Sequence, residues 1–351
     1  MTKVDIISGF LGAGKTTLIK ELLADGLKGQ QVVLIENEFG EIGIDGGFLK
    51  EAGIEIREMN SGCICCSLVG DFGTALGEVA KQYHPDRIII EPSGVGKLSD
   101  VIRAVENVKE EAGVEVNSAA TVVDVLKCRI YLKNFGEFYK NQVESAGTVI
   151  LSRTDTEKAT TEKVEEALTL LRGINPDATI ITTPIAQLGG AKVLETMEGV
   201  KIDLTKLPEE EDEDEHEHHH HHHHDHEEEH EHHHHDHEEE HEHHHHHDHD
   251  HHHHHHHHDA DEVFTSWGRE TIRKYTPEKI EEILHTLSEN EEYGTVLRAK
   301  GMVAGENGEW IYFDMVPGEC DVRGGEPEYT GRLCVIGAEL KEDKLAELFG
   351  L

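Results

Sequence analysis

The chain has 351 residues and a formal net charge of −40, from 32 Lys and Arg against 72 Asp and Glu. Residues 209–262 alone hold 23 of the acids and no Lys or Arg, so the remainder carries 49 acidic and 32 basic residues, a net −17. That balance argues against a nucleic-acid surface, and no apolar run approaches the roughly 20 residues of a membrane span.

The length allows two domains. The N-terminus enters a strand at once and carries Asp5 within it, which argues against a signal peptide. The six cysteines are uneven: Cys63, Cys65 and Cys66 cluster, while Cys128, Cys320 and Cys334 are scattered. Beside a nucleotide motif, that pattern predicts a reducing cytoplasm and metal ligation, not a disulfide framework.

Val4, Ile6 and Ile7 predict a short buried strand, and the run GFLGAGKT follows at residues 9–16. Gly9, Gly14, Lys15 and Thr16 fit GxxxxGK[ST], the phosphate-binding P-loop. Glycines let successive N–H groups point at phosphates. Lys15 supplies charge at the β/γ-phosphates, and Thr16 a hydroxyl for Mg²⁺. Gly12, Ala13 and Thr17 complete the expected nucleotide-binding set. A helix over about 15–24 follows, with Leu18, Ile19, Leu22 and Leu23 on its apolar face.

Strands are expected at Gln31–Asn37, Ile54–Met59, Arg87–Glu91, Val116–Val125, Thr148–Ser152 and Ala178–Thr182, with helices at Leu68–Tyr83 and Glu157–Arg172. Val164, Leu168 and Leu171 share a face of the second helix. This alternation predicts an α/β P-loop NTPase domain over residues 1–205, with a mainly parallel sheet. Ligands of such sheets bind at the carboxyl ends of the strands.

Three segments extend the site. ENEFGEIGID places Glu36, Glu38, Glu41 and Asp45 in an expected switch-like loop at 36–45. The strand at Ile88–Ile90 ends in Glu91-Pro92-Ser93-Gly94, resembling a Walker B strand. Glu91 could sit near Mg²⁺ or orient the attacking water, and is the candidate catalytic carboxylate beside Lys15. Ser152-Arg153-Thr154-Asp155 follows a strand where guanine-specific proteins carry NKxD. Asp155 would read the base, and Arg153, which can lie flat on it, would replace the lysine. Ser152 stands in the asparagine position, so guanine preference rests on Asp155 and Arg153.

Gly62-Cys63-Ile64-Cys65-Cys66 supplies at most three thiolates, soft ligands suited to Zn²⁺ or Cu(I). A fourth ligand must come from a loop carboxylate such as Glu38, from water or from a partner. Such an incomplete shell suits transfer. Buried small cysteines or a redox switch would present the same letters. Residues 206–262 form a linker whose 209–262 portion interleaves histidine with acid. It cannot bury enough apolar surface to order itself, and its imidazoles and carboxylates predict many weak metal sites.

Beyond Val263 the composition is globular again. Thr276-Pro277 opens a helix as N-cap and first residue, with Ile280, Ile283, Leu284 and Leu287 as its buried stripe. Strands at Thr295–Val303, Glu309–Val316 and Arg332–Ile336 and a helix at Glu342–Phe349 predict a small α+β domain over 263–351. Cys320 and Cys334 read as small core residues, and His84 and His285 as loop and helix-surface residues.

GFLGAGKTT (9–17), ENEFGEIGID (36–45), GCICC (62–66), IIIEPSG (88–94), TVVDV (121–125) and LRAKG (297–301) together resemble the CobW family of P-loop GTPases. The family is similar to the nickel-insertion GTPases of urease and hydrogenase maturation. The resemblance implies Mg²⁺-dependent GTP hydrolysis, a metal at Cys63, Cys65 and Cys66, and delivery to a client metalloprotein. Zn²⁺ is the expected cargo, with Co²⁺ or Ni²⁺ as alternatives, and a homodimer is an assembly it allows. SRTD at 152–155 departs from the family's usual NKxD. The rivals are a non-enzymatic metal store, a nickel or cobalt insertion accessory, and an ATP-dependent enzyme, which Asp155 disfavours.

Overall fold

A computed structural model describes residues 1–37, 55–59, 69–200, 203–208, 263–328 and 330–351. The Cys63–Cys66 cluster, Glu38, Glu41, Asp45 and the His-rich run 209–262 lie outside the described residues.

Seven described strands build the first sheet: β1 (Thr2–Gly9), β2 (Val32–Asn37), β3 (Glu55–Met59), β4 (Arg87–Glu91), β5 (Val114–Asp124), β6 (Thr148–Ser152) and β7 (Thr179–Ile181). Their order is β3-β2-β4-β1-β5-β6-β7. Every pairing is parallel. The helices are α1 (Lys15–Glu21), α2 (Val69–Tyr83), α3 (Leu98–Ala112), α4 (Cys128–Asn134), α5 (Gly136–Glu144), α6 (Thr161–Ile174), α7 (Ile185–Leu188) and α8 (Gly190–Glu198).

The strands read as continuous apolar runs because both sheet faces are covered. Alternate residues divide between the faces. Ile88 and Ile90 join Val4, Ile6, Val101 and Val105 in one core. Ile89 joins Ile7, Leu18, Ile19 and Met197 in the other. The expected mainly parallel fold is therefore what the chain adopts.

Local departures have simple causes. The first helix ends as α at Glu21 and continues as a π-turn over Leu22–Gly26. There its backbone meets α8 closely: a methyl on Gly190 would lie 2.2 Å from the Glu21 carbonyl oxygen. The helix expected from Glu157 starts at Thr161, with Ala167 and Leu171 as its buried residues and Val164 and Leu168 partly buried. Glu36 is not in a loop; it is buried near the end of β2, in register with Glu91 of β4.

The second sheet is antiparallel in the order β12-β11-β10-β13-β8. Its strands are β8 (Thr265–Thr271), β10 (Thr295–Gly305), β11 (Trp310–Val316), β12 (Glu319–Gly325) and β13 (Gly331–Ala338), with the two-residue β9 (Lys274–Tyr275) paired parallel to β10. Thr276 caps helix α9 (Pro277–Glu289) as the sequence predicts, its hydroxyl accepting from the Lys279 N–H at 3.2 Å. Ile280, Ile283, Leu284 and Leu287 are buried with Leu345 and Phe349 of α10 (Glu342–Phe349). Strands β8 and β12 escaped the pattern reading because TSWGRET and ECDVRGG hold too few apolar residues to alternate visibly.

The opposite face of this sheet is not solvated. Phe264, Leu297, Met302, Cys334 and Ile336 belong to the same apolar cluster as Phe10, Tyr131 and Phe138. Residues before Pro208 and after Val263 thus form one compact unit.

Candidate functional site

The site grows from the end of β1. Gly9 ends the strand at φ 143°, and a methyl there would stand 2.4 Å from the Val122 carbonyl oxygen, so only glycine fits the turn. Gly12 and Gly14 also hold positive φ, at 68° and 103°. Ala13 is buried, and its N–H donates to the Phe10 carbonyl at 3.1 Å. Gly14 caps α1 with no side-chain hydrogen bond, and a helix N-terminus favours an anion.

Lys15 folds back over this loop. Its buried ammonium donates to the Gly9 carbonyl at 2.9 Å and the Phe10 carbonyl at 3.5 Å. Thr16 Oγ1 lies 3.4 and 3.5 Å from the two carboxylate oxygens of Glu91. The tertiary fold therefore brings Thr16 and Glu91 together across 75 residues. Thr17, on the next helical position, is exposed.

The EPSG turn packs directly on the P-loop: a methyl on Gly94 would lie 2.9 Å from the Leu11 backbone nitrogen. Gln142 of α5 holds that turn. Its fully buried amide donates to the Gly94 carbonyl at 3.1 Å and the Gly96 carbonyl at 2.9 Å. Nothing in the letters around Gln142 marked it, because it acts from 46 or more residues away.

The SRTD segment also reaches the P-loop. Ser152 Cβ would be 3.7 Å from a methyl on Gly14, and Asp155 is exposed. Arg153 adopts φ 59°, a conformation rare for a side chain with a Cβ. Its Nη1 donates to the Gly12 carbonyl and to Asp124 Oδ2, each at 3.0 Å. Its Nη2 donates to Glu319 Oε2 at 2.6 Å. The guanidinium fork is thus committed to three acceptors.

Asp124 was read only as part of TVVDV. It sits at the end of β5, with Oδ1 accepting from the Leu126 N–H at 2.8 Å. Burial pushes its carboxyl above the ordinary aspartate range, although Arg153, the Leu126 N–H and Lys127 oppose the shift. Burial likewise lowers the Lys127 ammonium, against the pull of Asp124 4.0 Å away.

Among the described residues no group of three or more His, Cys, Asp or Glu could hold a metal. Cys334 is buried as the sequence predicts, and Cys128 is buried too, but Cys320, expected in the core, is exposed because β12 is the edge strand of its sheet. Burial raises the Cys128 thiol above its usual range. His84 and His285 are both exposed, as the sequence predicts.

Comparison with known proteins agrees with this geometry. Residues 3–182 match the family model described as CobW/HypB/UreG, nucleotide-binding domain. The chain belongs to the CobW/HypB/UreG family. Residues 264–350 match the Cobalamin synthesis protein cobW C-terminal domain. Among family relatives, the zinc chaperone YeiR of Escherichia coli is 31% identical over 168 residues, 48% of this chain and 50% of YeiR. The zinc chaperone CobW of a Sinorhizobium species is 34% identical over 178 residues, 43% of this chain and 50% of that protein. The zinc-regulated GTPase metalloprotein activator 1 of Dictyostelium discoideum is 26% identical over 235 residues, 55% and 48% of the two chains. The chain spans about half the length of these relatives. No described helix is long and apolar enough to cross a membrane.

Proposed function

We propose that this protein is a cytoplasmic GTP-hydrolysing metallochaperone that carries Zn²⁺ to a client metalloprotein. The observation that carries the reading is the meeting of Thr16 with Glu91 beside a P-loop whose Lys15 folds back on the loop, at the carboxyl end of a parallel sheet. Lys15 and the backbone from Gly9 to Gly14 bind the phosphates, with Ala13 and Thr17 at their edge. Asp155 reads the guanine edge, and Ser152 and Arg153 shape the wall beside it.

The Thr16 hydroxyl and Glu91 carboxylate are hard oxygen donors within 3.5 Å of each other, a donor set that fits Mg²⁺. When bound there, Mg²⁺ neutralises charge on the transferring phosphoryl group. Of the two roles open to Glu91, this placement favours holding the ion over orienting water. Lys15 draws negative charge toward the loop and keeps the phosphates in line. Cargo Zn²⁺ binds Cys63, Cys65 and Cys66, with Glu38 as the candidate fourth ligand.

The chain divides by role into a GTPase part (1–205), a metal-gathering linker (206–262) and a client-facing part (263–351), and a homodimer is a compatible assembly. The relatives named zinc chaperones support zinc over nickel or cobalt. The test is a metal titration of protein lacking residues 209–262, with a GTP analogue and then with GDP. One tight site per chain should remain, bind more tightly in the GTP state, and disappear when the three cysteines become serine. Capacity of the intact linker should fall as pH drops through roughly 6.5, because imidazole binds metal only when neutral. Unchanged capacity after the deletion would reject the store. Loss of phosphate release with full metal binding would instead favour a non-enzymatic buffer.

A further inference from the structure

The P-loop meets the C-terminal part of the chain at two points and is bridged to it at a third. Phe10 meets Phe264 edge-on, ring centroids 6.4 Å apart. At Gly12, a methyl would lie 2.4 Å from Val316 Cγ1, so the buried Val316 packs against the bare backbone of the nucleotide loop. Beside it, Arg153 joins the Gly12 carbonyl to Glu319.

Val316 and Glu319 are a cross-strand pair closing the β11–β12 hairpin around Pro317 and Gly318. Gly318 supplies the positive φ of 84° that this two-residue turn requires. The tip is itself fastened: the Gly318 N–H donates to Ser288 Oγ of α9 at 3.0 Å. A hairpin tip fastened to α9 therefore rests on the nucleotide loop. Its ion pair with Arg153 runs through a residue held in the left-handed region. Such a conformation is strained and persists only where its surroundings over-determine it. Here the surroundings are Gly12, Asp124 and Glu319.

We propose that Glu319 is a positioning residue for the nucleotide site, acting through Arg153, so that docking of the C-terminal sheet and nucleotide binding are coupled. Removing the Glu319 carboxylate frees Nη2 and leaves Asp124 alone to hold Nη1 against the Gly12 carbonyl, which loosens that contact with the P-loop. Coupling is reciprocal, so bound nucleotide must tighten the hairpin on the loop by the same factor. A client seated on the C-terminal sheet would then change nucleotide affinity without touching the nucleotide. The proposal rests on the guanine-nucleotide reading of the site.

The experiment is a double-mutant cycle on the full chain, read as the Kd of a fluorescent GDP analogue, with an ADP analogue as control. Glu319→Gln should weaken GDP binding by about 5-fold or more, the lower range of typical coupling. In an Arg153→Met background the same change should alter Kd less than about two-fold, because the mediator is gone. Thermal melts of each variant check folding. Hydrogen exchange of residues 310–325 in the wild-type chain should slow when GDP binds. Wild-type affinity in Glu319→Gln, an undiminished effect in the Arg153→Met background, or GDP-independent exchange would each overturn the proposal. A wild-type chain that binds the ADP analogue and not the GDP analogue would overturn the guanine reading instead.

Discussion

The two ends of the parallel sheet treat polar side chains in opposite ways. At the amino end, buried Asp5 is saturated: Arg87 pairs with one carboxylate oxygen, while Ser118 Oγ at 2.6 Å and Asn117 at 2.8 Å donate to the other. Arg87 also donates to Glu198 at 2.7 Å. At the carboxyl end, Thr16 and Glu91 stand 3.4–3.5 Å apart, and the Lys15 ammonium rests on backbone carbonyls. The first end is closed and structural. The second holds charges at a spacing that a phosphate and a cation can enter. A buried charge is tolerated where partners satisfy it, as Asp5 is at one end and Asp124 with Arg153 at the other.

Substitutions at each end test that contrast. Lys15→Ala should abolish the loop's phosphate charge, lowering GTP turnover by at least about 10²–10³-fold while the melting temperature stays near wild type. A phosphate-release assay with normal turnover would reject the GTPase assignment. Glu91→Gln keeps the shape and removes the charge near Thr16. Its turnover should fall by about 10²-fold, and excess Mg²⁺ should recover part of the loss if the carboxylate holds the ion. Recovery by no Mg²⁺ concentration would return Glu91 to the water-orienting role.

Arg87→Met attacks the other end. It leaves Asp5 buried without its cation, so denaturant unfolding should show a loss of about 3–5 kcal/mol, with KM for GTP unchanged in the folded fraction. A KM shift would mean that the ends are not independent. The smallest effect is acid-dependent. Burial alone would raise the Glu198 carboxyl, but hydrogen bonds from Arg87, Lys3 and Asn117 hold it below the ordinary glutamate value of 4.5. A lowered carboxyl stabilises the fold above that value, and the gain is lost as pH falls through the lower folded value. Glu198→Gln should therefore lower stability at pH 7 and flatten its decline below about pH 4.5, measured by melts across the acid range.

Much was legible before any coordinates, and the reasons are local. The P-loop is contiguous, so Gly9, Gly14, Lys15 and Thr16 announced themselves by spacing. Strands β4 and β6 matched their expected ranges, Arg87–Glu91 and Thr148–Ser152, because each is a buried run with a sharp polar end. The α9 stripe was readable because a capped helix with a single apolar face has one way to lie. Glu36 was misplaced into a loop because a carboxylate at a buried strand end has no local signature.

Sequence by itself determined the nucleotide loop, the parallel sheet, the α+β character of the C-terminal part and the family. These follow from contiguous motifs and from apolar periodicity, which depend on neighbours a few residues away. Only the tertiary structure decided that Thr16 meets Glu91, that Gln142 holds the EPSG turn, and that Arg153 reaches Asp124 and Glu319. Those pairings join residues 29–166 positions apart, and hydrogen bonds at that separation leave no period in the chain. They exist because the apolar faces of the two sheets are covered, and that packing lays the β11–β12 hairpin on the P-loop.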